Sequence, residues 1–325
     1  MEEGGLIQAE GRDDDDDEIF VYIGGDQFVP RGVRRVRIDK SVKIIPRRAF
    51  DGRQHLIYVE YHEGVEIIRE DAFCGCISLR SVKLLGVKFI GNGAFRCCWG
   101  LTEVEFGVEL ETIEERAFQD CTSLTSLTMP SVKLIRRLAF SNCRQLTDLD
   151  LPEGLETIEE HAFSKCQRLG RISIPLKDNM VGVDVFWRCF NLRAVDLVGG
   201  IHNTVASLHL ESWRNEMKEE INRINQVLPN TSAAEKTAVT QQWIRAVTRR
   251  LNHYSAEHRS LVKEATTLLE LALWKANLDH NEGGVREREG VRTTRGRRKR
   301  ARKEICITSG ASIVIKNVLP FLELK

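Results

Sequence analysis

One short phrase recurs along this chain of 325 residues and limits the folds that it can adopt. The dipeptide Ala-Phe occurs at residues 49–50, 72–73, 94–95, 117–118, 139–140 and 162–163, and a related Val-Phe follows at 185–186. Successive phenylalanines are 22 or 23 residues apart. A fixed period of this length is the signature of a repeat architecture, in which each repeat is one supersecondary unit.

Other residue types keep a constant distance from each Phe. Leu follows every Phe by six residues, and Ile or Val precedes it by five. A cysteine follows by three residues in every repeat except the first, which has Arg53. These six cysteines are Cys76, Cys98, Cys121, Cys143, Cys166 and Cys189.

The columns predict local structure within each repeat. Ala, Cys and Leu stand at i, i+4 and i+7, which places them on one face of a short helical turn. The Leu-x-x-Val-x-Leu pattern that follows alternates, which predicts a strand with one buried face. One such unit cannot bury its apolar face alone, so neighbouring repeats must stack into a solenoid.

The spacing resembles the BspA-like subtype of leucine-rich repeat, whose consensus is Ala-Phe-x-x-Cys-x-x-Leu-x-x-Ile-x-Leu-Pro. The resemblance covers about residues 36 to 199. It implies an α/β repeat fold, a leucine-rich-repeat solenoid of about seven coils of 22–23 residues, here followed by an α-helical C-terminal region. It also implies a protein-binding or adhesive module. The whole layout resembles uncharacterised multi-copy repeat proteins of unicellular algae, and that likeness implies no activity.

The pattern divides the chain into six segments. Periodicity changes from the repeat to a helical spacing near residue 201, and charge runs flank the folded part at both ends. We expect a disordered acidic leader, a strand with a half-repeat cap, the repeats, a helical region, a basic flexible linker, and an apolar segment that packs on the helical region. Their bounds are 1–18, 19–45, 46–200, 201–280, 281–304 and 305–325.

The spacing of apolar residues predicts three helices in the helical region. Apolar residues at steps of three and four run from Leu210 to Leu228, from Val239 to Tyr254, and from Leu261 to Leu278. The third helix has apolar residues on more than one face, so we expect it to be the buried one. Three tryptophans of the region, Trp213, Trp243 and Trp274, are expected to be core residues.

Composition and motifs argue against several functional classes. The net charge of +1 gives no whole-protein attraction to nucleic acid, and neither a secretory signal nor an apolar window long enough for a membrane span is present. No phosphate loop, nucleophile elbow or zinc-ligand set occurs, so we predict a non-enzymatic protein without a cofactor or metal. The acidic pairs at residues 114–115 and 159–160 read as solvated surface.

The cysteine column has two interpretations. Stacked thiols could meet the distance requirements of disulfides, but a chain of this length without a signal is expected in a reducing compartment. A buried free cysteine behaves as a small hydrophobe with a weak S–H donor. We therefore predict that the column is buried and reduced.

A strongly basic segment lies near the C-terminus. Residues 286–303 contain ten Lys or Arg and two Glu, for a net charge of +8. Such a run can be a solvated loop, a nuclear localisation signal or a nucleic-acid patch, although it carries no aromatic residue for base stacking. The basic residues at the centre of this segment are Arg295, Arg297, Arg298, Lys299, Arg300, Arg302 and Lys303.

The main functional prediction is a protein–protein interaction module that presents a repeat surface to a protein or peptide partner. Outward positions of the predicted strands have an acidic tendency, which favours a basic partner, although these residues could equally serve only to keep the sheet soluble. A nuclear, nucleic-acid-associated role through the basic segment is the alternative. We expect a cytoplasmic location, with a nuclear one as the alternative. The predicted strip consists of Tyr58, Glu60, Lys83, Glu103, Glu105, Thr128, Asp148, Asp150 and Arg171.

Overall fold

The structure of the protein, a computed structural model, describes residues 19–198 and 211–285. The chain forms two compact units. Of the described residues, the first unit comprises 19–198 and 220–245, and the second comprises 211–219 and 246–285. The predicted acidic leader (1–18) and the predicted apolar segment 305–325 lie outside the described residues.

The first unit is a solenoid of about seven coils, as predicted, with parallel strands on two of its faces. One face, called here the strand face, carries the longer strands of the coils in three sheets, β1-β2-β4, β6-β8-β10 and β12-β14-β15. These strands are β1 (Ile19–Tyr22), β2 (Arg35–Ile38), β4 (Tyr58–Glu60), β6 (Ser81–Leu84), β8 (Glu103–Phe106), β10 (Ser126–Thr128), β12 (Asp148–Asp150), β14 (Arg171–Ile174) and β15 (Ala194–Leu197).

A second face carries two-residue strands in one six-stranded parallel sheet. Each strand places its second residue in the core, which is the isoleucine five positions before Phe. The strands are β3 (Ile44–Ile45), β5 (Ile67–Ile68), β7 (Phe89–Ile90), β9 (Thr112–Ile113), β11 (Leu134–Ile135) and β13 (Thr157–Ile158).

The third face, called here the turn face, contains Ala-Phe and the residues around it. The sequence predicts a short helical turn here, whereas the structure has consecutive turns closed by i to i+3 bonds. The residues two before and two after each Phe have positive φ angles of 50–71°. Most of them are not glycine, and this left-handed backbone cannot continue a right-handed helix. The spacing of apolar residues did not reveal this alternation.

The alternating turns produce a hydrogen-bond ladder that points in one direction. At each of six junctions, three N–H groups of one coil donate to carbonyl oxygens of the next coil, with N···O distances of 2.7–3.2 Å. The middle donor is always the Phe of the repeat, as in Phe95 N–H to Ala117 O at 2.8 Å. The phenyl rings stack nearly parallel beneath the ladder, with centroids 4.7–6.4 Å apart. Backbone and side chains therefore fix the same register.

The first coil differs from the others because no coil precedes it. Arg53 takes the place of the cysteine, and its guanidinium donates to Val29 O at 2.9 Å and Asp51 O at 2.8 Å. Val29 is buried in the segment between β1 and β2. The exception at the first repeat thus has a structural reason: a long donor reaches the covering segment.

The last coil leaves N–H groups that have no eighth coil to bind, and residues 220–245, called here the cap region, supply the acceptors. Phe186 N–H donates to Thr237 Oγ1 at 2.9 Å, and Arg188 N–H donates to Ala233 O at 3.2 Å. On the strand face, Val195 N–H donates to Asn225 Oδ1 at 2.9 Å. The cap region therefore completes the backbone hydrogen bonding at this end, as a solenoid terminus requires.

A buried lysine adds to the cap. Lys236 donates its ammonium to Leu192 O and to Leu228 O, and burial lowers the pKa of this side chain. Ile221, Ile224 and Trp243 of the same region are buried, which confirms Trp243 as a core residue.

The helices of the chain are α1 (Glu211–Val227) and α2 (Lys236–Val285), joined by a 3-10 helix (Leu228–Asn230). Two helices thus replace the three that were predicted. Residues 236–282 contain neither Pro nor Gly, so no breaker ends α2 between its two periodic stretches. The helix also continues past residue 281, where we predicted the start of the basic linker.

Within the second unit, Trp213 of α1 is buried and stacks on Tyr254 of α2 with ring centroids 5.0 Å apart. Glu216 accepts a hydrogen bond from the Tyr254 hydroxyl at 2.7 Å. The predicted burial of the third helix is wrong, because Leu268 and Trp274 are 59% and 64% exposed. The prediction that Trp274 is a core residue is therefore also wrong.

Two isosteric substitutions in α2 test the role of the cap. Thr237→Val removes the acceptor of Phe186 N–H, so we expect the free energy of unfolding to fall by about 1–3 kcal/mol. Thr240→Val is the matched control, because the Thr240 hydroxyl is fully buried and has no hydrogen-bond partner among the described residues. That variant should be neutral or slightly more stable. Urea denaturation followed by circular dichroism measures both, and equal losses would contradict the assigned role of Thr237.

Candidate interaction surface

The nine residues of the predicted strip all lie on longer strands of the solenoid. Parallel pairing places them in two columns, in which Lys83, Glu105 and Thr128 are register partners and Asp148 is opposite Arg171. Their side chains alternate with buried ones such as Val104 and Leu149, so they point outward. The structure therefore brings these residues onto one surface, called here the outer strand face.

Charges on the outer strand face are grouped. Strands β8 and β12 carry four outward carboxylates, and β10 between them has the uncharged Thr128. We call Glu103, Glu105, Asp148 and Asp150 the acidic patch.

Cations border the acidic patch on both sides. Lys83 Nζ lies 3.7 Å from Glu105 Oε2, and Arg171 lies 3.5 Å from Asp148 Oδ1 and 2.8 Å from Asp150 Oδ1. Exposed pairs of this kind contribute little to stability. Their effect here is to neutralise part of the acidic tendency that the sequence suggests.

The strand face is interrupted inside the patch. β10 pairs with β8, and β12 pairs with β14, but β10 and β12 belong to different sheets. At the interruption Leu127 is only half-buried, whereas its column neighbours Val104 and Leu149 are buried. The two halves of the acidic patch are consequently on separate three-stranded sheets.

A second group of charged residues has a structural explanation that the sequence interpretation missed. Arg136 lies between Glu114 and Glu159, with N···O distances of 3.2 and 3.4 Å. Its neighbour Arg137 lies between Glu115 and Glu160, at 3.8 Å from each. The acidic pairs are therefore steps of a charge ladder between successive coils. The sequence contained a signal for this ladder, because the charge at this repeat position alternates from negative to positive to negative in three successive repeats.

The cysteine column is buried and its thiols are free, as predicted. Each Sγ lies 3.1–3.5 Å from the carbonyl oxygen of the Phe in the preceding coil, to which its S–H donates. Burial raises the pKa of Cys76 to about 12, and it also raises the pKa of Cys98 and Cys121. A thiol with a raised pKa is a poor nucleophile and metal ligand. The column is a packing element.

Other candidate chemistry is limited. Within residues 19–198 and 211–285, no group of three or more His, Cys, Asp and Glu could hold a metal ion. No described helix is long and apolar enough to cross a membrane. The basic segment, from Arg295 to Lys303, lies outside the described residues.

The repeat pattern and the stacked coils together decide the family. The family model for the BspA type leucine rich repeat region, in six copies, matches residues 21–107 and 88–210, more than half of the chain. The chain belongs to this family. Leucine-rich repeat proteins are generally binding modules for other proteins rather than enzymes, so the BspA-type solenoid is a protein-interaction fold.

Solved structures of leucine-rich repeat proteins resemble part of the chain. The protein from Eubacterium ventriosum is 24% identical, with 45% of this chain and 40% of that chain covered and a TM-score of 0.43. The protein from Bacteroides ovatus is 22% identical, with 52% and 65% covered and a TM-score of 0.36. This chain therefore spans less than two thirds of either. No curated protein matches the chain.

The burial of the cysteine column can be tested by thiol labelling of the native protein. We expect a bulky maleimide to modify the half-buried Cys74 and Cys97 and to leave the six column thiols unreacted. A Cys306→Ser background simplifies the count, and unfolding in guanidinium should make every remaining thiol reactive. Mass spectrometry gives the sites. Rapid native labelling of several column thiols would contradict their burial.

Proposed function

We propose that the protein is an interaction module that binds an extended basic segment of a protein partner on the outer strand face, at the acidic patch. The observation that carries this proposal is the grouping of four outward carboxylates on strands β8 and β12, with no outward Lys or Arg on β8, β10 or β12.

The geometry of the strands supports an extended partner. Glu105 and Thr128 are register partners on paired parallel strands, and Asp150 holds the equivalent repeat position on β12, across the break between the two sheets. A peptide that lies across these positions could meet carboxylates near both of its ends.

The bordering cations support a basic ligand. Arg171 already occupies the position between Asp148 and Asp150, and Lys83 lies beside Glu105. These contacts support the proposal, because the same carboxylates already accept a guanidinium or an ammonium from within the chain. A ligand cation would compete with the protein's own side chains, so affinity would depend on salt and on these two residues.

A double charge reversal tests the proposal directly. We expect Asp148→Lys with Asp150→Lys to weaken binding of Lys/Arg-rich peptides by about tenfold or more, because like charges would face the ligand. Fluorescence anisotropy with labelled basic, neutral and acidic peptides of equal length measures the dissociation constants. Glu111→Lys with Glu156→Lys is the matched control, since it makes the same charge change beside the six-stranded sheet, away from the acidic patch.

The opposite change should strengthen binding. Arg171→Gln removes the internal counterion of two carboxylates, so basic peptides should bind several-fold more tightly, an effect of about 1 kcal/mol or less. The proposal fails if basic peptides do not bind, or if the double reversal and its control weaken binding equally. Circular dichroism verifies that the exposed substitutions leave the fold intact.

A further inference from the structure

The last three coils of the solenoid concentrate positive charge between the buried Phe and the strand that follows it. In these coils the seven residues after Phe contain five Lys or Arg and no Asp or Glu. The same seven positions in the four earlier coils contain three Arg and two Asp. Four of the five cations, all exposed, are called here the basic edge: Arg144, Lys165, Arg168 and Arg188.

Backbone contacts between coils bring the basic edge together. Arg168 N–H donates to Arg144 O at 3.2 Å, and Lys165 N–H donates to the carbonyl oxygen of Trp187, the residue before Arg188, at 2.7 Å. Lys165 and Arg188 each stand two residues after Phe, so like charges occupy the same position in adjacent coils. Like charges in such positions repel each other. An anion bound between them would relieve that repulsion.

The basic edge has no internal counterion among the described residues. Within residues 19–198 and 211–285, none of its four side chains is in an ion pair. Two of them hydrogen bond to neutral amides instead. Arg144 Nε donates to Asn142 Oδ1 at 2.9 Å, and Arg168 Nη1 donates to Gln145 Oε1 at 2.6 Å. These contacts orient the guanidinium groups and leave other N–H donors for a ligand.

Carboxylates around the basic edge have other partners or are outnumbered. Asp184, four residues before Arg188, forms no ion pair with it, and one carboxylate does not balance four cations. The other nearby carboxylates are held by Asn142, by Arg137 with His161, by Arg171, and by Ser232; they are Asp120, Glu160, the pair Asp148 and Asp150, and Glu235. The edge therefore remains electropositive.

An aromatic ring holds Arg188 in place. The guanidinium carbon of Arg188 lies 4.3 Å from the centre of the Trp187 ring, and Lys165 Nζ lies 5.7 Å from the same centre. A guanidinium on a ring face keeps the N–H donors at its rim available to a carboxylate, and it loses less conformational freedom on binding. Phe190 of the same coil is 58% exposed. Arginine and aromatic side chains are enriched at protein interfaces.

The aromatic geometry favours an acidic peptide over single-stranded nucleic acid. Nucleic-acid sites stack successive bases on open aromatic faces. Trp187 is half-buried and already contacts Arg188 and Lys165, so it offers no such platform. The basic edge spans two coil steps, about 10 Å, and alternate side chains of an extended peptide repeat at about 7 Å. We propose that the basic edge binds an extended acidic segment of a protein partner, at a site separate from the acidic patch.

Fluorescence anisotropy with a short labelled peptide rich in Asp and Glu tests the proposal. We expect Lys165→Glu with Arg188→Glu to weaken binding at least about tenfold, because two cations become anions that face the ligand. Every protein in the series carries glutamine at the central residues of the basic segment, so that this segment does not capture the peptide. The replaced residues are Arg295, Arg297, Arg298, Lys299, Arg300, Arg302 and Lys303.

Two further variants make the measurement specific. Lys40→Glu with Lys43→Glu is the matched control, because it makes the same charge change at exposed positions in the first coil. This control should bind the acidic peptide like the parent. Arg188→Lys keeps the charge but lacks the planar guanidinium, so it should weaken binding several-fold. Circular dichroism verifies that each variant is folded. Binding of basic peptides at the acidic patch should not weaken in the Lys165/Arg188 variant, so the two sites are tested separately.

Three outcomes would overturn the proposal. The first is that the acidic peptide does not bind the parent protein. The second is that the Lys165/Arg188 variant and the Lys40/Lys43 control weaken binding equally, which would make the effect one of overall charge. The third is that single-stranded oligothymidylate binds more tightly than the acidic peptide and loses affinity in the Lys165/Arg188 variant, which would assign the basic edge to nucleic acid.

Discussion

The one-directional hydrogen-bond ladder of the turn face is the constraint on which the solenoid depends. Its geometry requires positive φ two residues before and two residues after each Phe, and non-glycine residues adopt this backbone at a cost of about 1 kcal/mol or more each. Stacked phenyl rings and thiol-to-carbonyl contacts hold the same register. Because all the ladder donors point toward the next coil, the two ends of the solenoid have opposite needs. Arg53 meets one, and Thr237 with Ala233 meets the other.

The same stacking organises charge on the surface. A residue type placed at one repeat position meets its counterparts in the neighbouring coils, so like charges repel and alternating charges pair. The ladder around Arg136 and Arg137 follows this rule. The acidic patch departs from it, because Glu105 and Asp150 are separated only by Thr128 and have their cations at the borders. Under the proposed function, this concentration of one charge is the feature that would attract a partner of opposite charge.

Much of the solenoid could be predicted from the sequence, because its columns repeat in seven units and each column has one physical role. The burial of Cys121 and the outward position of Asp148 follow from period and alternation alone. The left-handed residues could not be predicted, since Arg116 and Lys165 have no side-chain feature that reveals φ. Helices gave weaker signals: α2 has two periodic stretches without a breaker, so its continuity and the exposure of Trp274 depend on tertiary packing. The acidic patch was predicted residue by residue, but its bordering ion pairs needed coordinates.

Scalar couplings across hydrogen bonds, measured by NMR on deuterated protein, test the central claim most directly. The account predicts a coupling from the amide nitrogen of Phe95 to the carbonyl carbon of Ala117, and equivalent couplings from Phe73 to Ala94 and from Phe118 to Ala139. Every coupling should run from one coil to the next one along the chain. Couplings that run to the preceding coil, or from Phe to a carbonyl four residues earlier as in a helix, would contradict it.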